Sequence, residues 1–86
     1  MPCFVYLLEC ANGSYYCGYT SNLENRLAAH SAGRGGRYTR SHRPVKLVYS
    51  EAKRTRKAAM RRELEIKKFP RRKKEELVRL QKYSRK

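Results

Sequence analysis

The stretch that decides the fold is CFVYLLECANGSYYCGYT, Cys3 to Thr20. Its two arms, Cys3 to Cys10 and Ser14 to Thr20, are short runs of apolar and aromatic strand formers. Between them stand Ala11, Asn12 and Gly13. This is a hairpin signal, because asparagine and glycine accept the left-handed backbone of tight turns. Loop length sets the facing of the side chains. A two-residue Asn12-Gly13 turn would pair Leu8 with Cys17 and put Tyr6 and Tyr16 on opposite faces, since facing alternates along a strand. A three-residue loop with Gly13 left-handed in a G1 bulge pairs Leu8 with Tyr16. The two tyrosines then share a face as diagonal neighbours. The three-residue loop is predicted.

Downstream the period becomes helical. Ser21 with Glu24 three residues later reads as a capping box. Leu23, Leu27 and His30 follow at helical spacing, and Arg26 and His30, four apart, share one face. The helix is expected to stop near Gly33. Gly33 to Pro44, GRGGRYTRSHRP, reads as a basic, glycine-rich loop. Val45 to Ala52 alternates like a third strand. Thr55 caps a second helix through Phe69, and Pro70 breaks it and starts a third, to about Tyr83. The order is β-β-α-β-α-α: an α+β domain with a three-stranded, mainly antiparallel sheet and helices packed on it. One domain is expected over 1–83, with a frayed tail at 84–86.

Composition narrows the partners. A chain of 86 residues holds one core with a thin stability margin. A hydrophobic content of 40% is too high for a wholly disordered chain. Lysine and arginine number 22 against 7 acidic residues, a formal charge of +15, which calls for an anionic partner. Nucleic acid comes first and a membrane surface second. Three cysteines, with no CxxC, argue against a disulfide framework or a zinc knuckle. Cys3 and Cys17 read as small apolar strand residues, and Cys10 as a strand end. No apolar run is long enough to span a membrane, and no secretory signal leads the chain. A cytosolic monomer is expected.

The residues that carry chemistry come in a fixed order. Tyr6 lies in the first strand, Tyr16 and Gly18 in the second, Arg26 and His30 on the next helix, and Glu63 on a later, basic helix. This set resembles the GIY-YIG nucleases. In that family one strand carries G-I-Y and the next Y-I-G, followed by an arginine on a helix and a metal-binding glutamate on a later one. Here the motifs read Phe4-Val5-Tyr6, Tyr16-Cys17-Gly18, Leu23-x-x-Arg26-x-x-x-His30 and Ala59-Met60-Arg61-Arg62-Glu63. The resemblance runs from about Cys3 to Phe69 and is closest to small stand-alone bacterial members. Two departures stand out: Phe4 replaces the first motif's glycine, and no asparagine follows the glutamate. The resemblance implies a divalent-metal-dependent endonuclease acting on DNA, in repair or recombination. It implies catalytic roles for Tyr6, Tyr16, Arg26, His30 and Glu63, with Glu63 holding a single Mg²⁺ or Mn²⁺.

Elementary chemistry allows the same roles. A carboxylate suits a hard cation. The planar arginine fork suits phosphate oxygens. A tyrosine deprotonates water only if its pKa falls from about 10. Histidine relays protons near neutrality. Tyr6 is the preferred base, with Tyr16 positioning water or phosphate, though the residues alone leave that choice open. Plainer readings compete. Glu63 can pair with Lys67 at i,i+4, and His30 can face the helix dipole. Glu65 rivals Glu63 as metal ligand, but roughly 200° of helix separates them, so both cannot face one site. Tyr15 and Tyr49 read as packing residues. Arg34, Arg37, Arg40 and Arg43 around Tyr38 form a loop suited to a nucleic-acid backbone, with Tyr38 able to stack on a base. The alternatives to an enzyme are a non-catalytic nucleic-acid-binding module with a retained nuclease fold, and an RNA-binding protein.

Overall fold

The computed structural model describes residues 2–84. Strand β1 spans Cys3–Glu9 and β2 spans Tyr15–Thr20. They are joined by the three-residue loop. Gly13 has φ 84°. Its N–H donates to the Cys10 carbonyl at 2.8 Å, and the Cys10 N–H donates to the Ser14 carbonyl at 2.9 Å. Leu8 therefore faces Tyr16, and Tyr6 faces Gly18, as the loop length requires.

Strand β3, Lys46–Lys53, pairs antiparallel with the other side of β1, giving the order β2-β1-β3. The central position explains the composition of β1. Val5, Leu7 and Leu8 are fully buried and Tyr6 nearly so. Fully burying one such aliphatic side chain contributes about 1.5–3 kcal/mol. Cys3, Val5, Leu7 and Cys17 pack with Ala59 and Ile66 on one face of the sheet. Tyr6 turns the opposite way, toward His30. The β1–β3 register shifts between Leu7 and Leu8, where Val48 is the additional residue, and both Val48 and Tyr49 pack on the core. Tyr15 also packs there, so both tyrosines expected to be packing residues are.

Helix α1, Leu23–Ser31, is capped by Asn22, whose side chain accepts the Asn25 N–H at 3.0 Å. The cap expected at Ser21 is thus one residue later, which moves Glu24 out of a capping box. Thr20 holds the approach, its hydroxyl accepting the Asn22 N–H at 3.1 Å. The end comes where glycine predicts it. Gly33 has φ 83°, its N–H bonds the His30 carbonyl, and the Arg34 N–H bonds the Ala29 carbonyl at 2.7 Å, a Schellman closure.

The segment expected to be wholly loop contains one helical turn, α2, Arg37–Ser41. Helices α3, Arg56–Lys67, and α4, Arg71–Ser84, complete the chain. Thr55 caps α3 by accepting the Ala58 N–H at 3.1 Å. The plan β-β-α-β-α-α holds, with α2 added before β3. Of the expected frayed tail, Ser84 closes α4, while Arg85 and Lys86 lie outside the described residues. No helix among the described residues is long and apolar enough to cross a membrane.

Candidate active site

Gly18 lets Tyr6 lie across β2. A Cβ at that position would sit 2.5 Å from the Tyr6 hydroxyl oxygen and 2.7 Å from Cζ. The glycine two residues after Tyr16 is therefore a steric requirement of Tyr6. Both tyrosines line a pocket of about 420 Å³, together with Gly18, Arg26, Arg56 and Glu63. The lining also takes Cys3 and Tyr19 from the other face of the sheet, which puts the pocket over the β2 edge.

Glu63 is the acidic member of this lining. Its side chain is 15% exposed, and Lys67 Nζ lies 3.8 Å away. Glu65 does not line the pocket; it is 58% exposed and paired with Arg62 at 3.2 Å. The Glu63–Lys67 pairing is present too. It is long and its lysine is half exposed, so it contributes at most about 1 kcal/mol. Arg56 was missed by the sequence reading. Its signal was available: it precedes Glu63 by seven residues, two helical turns, and so shares its face.

His30 sits behind the pocket, fully buried. Its Nε2 lies 3.0 Å from the Tyr6 hydroxyl and its Nδ1 lies 2.8 Å from the Thr39 hydroxyl. Both tyrosine rings meet the imidazole edge-on, with centroids 5.8 Å away for Tyr6 and 5.3 Å for Tyr16. The ring is thus held by side chains, although His30 does lie in the last turn of α1. Burial lowers the His30 pKa, and the Arg26 charge lowers it further. Burial also raises the Tyr6 pKa, and a hydrogen bond from Arg26 opposes this without reversing it. Tyr6 is therefore a neutral phenol at rest, and Arg26 alone does not supply the lowered pKa that the sequence reading asks of a tyrosine base.

The depressed His30 pKa has a consequence for stability. Above the ordinary value of 6.5 both folded and unfolded chains carry neutral His30. As pH falls below 6.5 the unfolded chain takes up the proton first, and stability falls until the lower, folded pKa is passed. Urea midpoints of the wild type are expected to drop over this window. Those of His30→Gln should drop less steeply, and an equal slope in the variant would remove His30 as the cause.

The basic loop divides in two. Arg34, Arg37 and Arg40, all exposed, line a second cleft of about 380 Å³ with Gly33 and Gly36. Arg43 is not part of it. Its guanidinium lies over Gly33 and donates to the Ser31 carbonyl at 3.3 Å, closing the end of α1. Tyr38 is 41% exposed, with its ring stacked on His42 at 4.2 Å and its hydroxyl 2.6 Å from Ser14 Oγ. The Ala11 N–H also donates to the His42 carbonyl at 2.9 Å, so the loop is fastened to the hairpin.

The antiparallel hairpin with paired tyrosines, set beside an arginine-bearing helix and a glutamate-bearing one, makes this an α+β domain with its candidate site at the edge of the sheet. The chain belongs to the GIY-YIG family, whose catalytic domain matches residues 2–76. The members of that family are generally nucleases. The chain is 48% identical over 75 residues to a UPF0213 protein of Staphylococcus haemolyticus, covering 87% of this chain and 92% of that one. It is 52% identical to a UPF0213 protein of Natronomonas pharaonis, covering 87% and 88%. The solution NMR structure of a UPF0213 protein from Bacillus halodurans superposes with a TM-score of 0.60 at 46% identity, covering 93% of this chain and 85% of that one. That of an E. faecalis protein superposes with a TM-score of 0.63 at 36% identity, with the same coverage.

Proposed function

We propose that the protein is a divalent-metal-dependent endonuclease that hydrolyses DNA phosphodiester bonds, in repair or recombination. The observation that carries this reading is the single pocket lined by Tyr6, Tyr16, Arg26, Arg56 and Glu63. Among the described residues no three potential metal ligands cluster. One carboxylate at a pocket of this size fits an ion such as Mg²⁺, which keeps most of its waters and takes its remaining ligands from phosphate. Glu63 would hold it. When bound, such an ion supplies positive charge against the transferring phosphoryl group.

The chain's own groups do the rest. Arg26 and Arg56 hold non-bridging oxygens. Tyr6 takes a proton from the attacking water as its own phenolic proton passes to Nε2 of His30, so no standing tyrosinate is needed. The water oxygen bonds to phosphorus, the bond to the leaving oxygen breaks, and that oxygen is protonated from solvent. His30 releases its extra proton to close the cycle. Tyr16 positions the water or the phosphate. Arg34, Arg37, Arg40 and Arg43 contact the nucleic-acid backbone outside the pocket, and Tyr38 stacks on a base. So small an interface suits branched or damaged DNA better than a long sequence. Action is as a monomer in the cytosol; Cys3, Cys10 and Cys17 are free thiols, which suits a reducing compartment.

The raised Tyr6 pKa and the Phe4 departure favour a second reading, a non-catalytic nucleic-acid-binding module. A substrate panel separates the two. Plasmid, flap, fork and RNA are incubated with the protein in Mg²⁺, Mn²⁺ or chelator. Metal-dependent DNA cutting is the expected result. Binding without cutting on every substrate overturns it in favour of the module, and a preference for RNA moves the substrate class. Affinity is expected to fall steeply with salt, the slope shrinking by about 1 for each phosphate-contacting arginine removed. Arg37→Ala and Arg40→Ala test this in a salt titration, where unchanged slopes exclude the loop.

A further inference from the structure

We propose that Thr39 is a positioning residue: its hydroxyl holds His30 in the tautomer protonated on Nδ1, which aims the Nε2 lone pair at the Tyr6 hydroxyl. The inference rests on the Tyr6–His30 proton path proposed above.

The argument is one of hydrogen-bond direction. Four groups lie in a line, beginning with the Tyr6 hydroxyl in the pocket lining that it shares with Arg26. That hydroxyl is 3.0 Å from His30 Nε2. His30 Nδ1 is 2.8 Å from Thr39 Oγ1. The Thr39 hydroxyl in turn donates to the Gly36 carbonyl at 3.3 Å. Two neighbours set the direction of this line: the carbonyl at its end only accepts, and the Arg26 guanidinium beside the phenol only donates. Arg26 thus offers the phenolic proton no acceptor, and that proton turns to Nε2. Because the Thr39 proton goes to Gly36, its oxygen accepts from Nδ1–H. Every donor along the line then has an acceptor. The opposite tautomer would put Nε2–H on the Tyr6 oxygen, turn the phenolic proton away from His30, and leave Nε2 unable to take it.

Burial keeps competitors out. Thr39 and His30 are both fully buried. Gly35 packs against the imidazole so closely that a Cβ there would lie 2.3 Å from Nδ1, which leaves no room for another partner on that side. No buried side-chain nitrogen or oxygen among the described residues lacks a hydrogen-bond partner.

Long-range ¹H–¹⁵N correlation NMR on the full chain, without substrate, reads the tautomer directly. A protonated, pyrrole-type Nδ1 and a pyridine-type Nε2 are expected for His30 in the wild type. Thr39→Val keeps the side-chain shape and removes the hydroxyl. It is expected to shift His30 toward the Nε2-protonated form and to lower kcat by about 10²-fold with KM unchanged. Thr39→Ser is expected to restore both. The wild-type spectrum needs no variant to fold: protonation on Nε2 in it overturns the proposal. So does a Thr39→Val protein that keeps the Nδ1–H tautomer. If the tautomer behaves as stated and no substrate is ever cut, the nuclease reading falls while the role of Thr39 in fixing His30 stands.

Discussion

Replacing Glu63 with glutamine is expected to abolish metal-dependent cutting while leaving fold and DNA binding intact. The substitution keeps the shape and removes only the charge. Structurally little depends on that charge: its ion-pair partner is a half-exposed lysine at 3.8 Å. The expected stability change is therefore within about 1 kcal/mol. On the proposed reading catalysis depends on it, since Glu63 is the acidic side chain lining the pocket. Losing one preorganised electrostatic group at a developing charge typically costs about 10²–10³-fold in kcat. Arg26→Ala is expected to match it by a different route. It removes the proposed phosphate-holding fork, and it removes the group that opposes burial at Tyr6, so the phenol becomes harder still to deprotonate. Nicking rates measured beside thermal melts and DNA affinity separate chemistry from folding. Glu63→Gln protein that cuts at the wild-type rate would sink the assignment.

Gly35→Ala is expected to damage stability and activity together, and more severely than Gly18→Ala. The added Cβ would lie 2.3 Å from His30 Nδ1, 2.5 Å from Cγ and 2.8 Å from Cα. The last of these is backbone, so α1 itself must shift. Overpacking of this kind costs about 1–3 kcal/mol, and each kcal/mol lowers Tm by about 4–8 °C in a domain of this size. At Gly18 the nearest atoms belong to the Tyr6 ring, which can swing aside. Its alanine variant should lose more activity than stability. Gly36→Ala is the control, because the nearest atoms to its Cβ are 3.7 Å away, an ordinary contact. Melting curves and cutting rates of the three variants should rank in that order. A Gly35→Ala protein as stable as Gly36→Ala contradicts the packing described for His30.

Much of this was legible in the sequence, for local reasons. The hairpin register turned on three residues: Gly13 suits either loop length, and the bonds it and Cys10 make close the three-residue one that was predicted. The mainly apolar run in β1 announced a strand, but not that it would lie at the centre of the sheet with both faces covered. The helical offset between Glu63 and Glu65 showed that only one of them could serve, but not which, because that depends on how α3 docks on the sheet. The cap at Asn22 was obscured by a neighbouring serine of equal capping ability. Helix α2 was invisible because five residues after a pair of glycines are too few to hold a helix on their own; Thr39, buried against His30, helps to hold them. Thr39 itself carried no spacing signal, since its partner lies on another element.

That single turn of helix has two allegiances. Arg37 and Arg40 point to the solvent-facing cleft, while Thr39 between them points inward to His30. Its far side is fastened to the hairpin through Ser14 and Ala11. On the proposed reading, an anion gripped by these arginines would pull on the same turn that orients the imidazole. Grasping the strand and aiming the proton would then be strokes of one lever, with its fulcrum at the tip of the hairpin where the chain's fold was first decided.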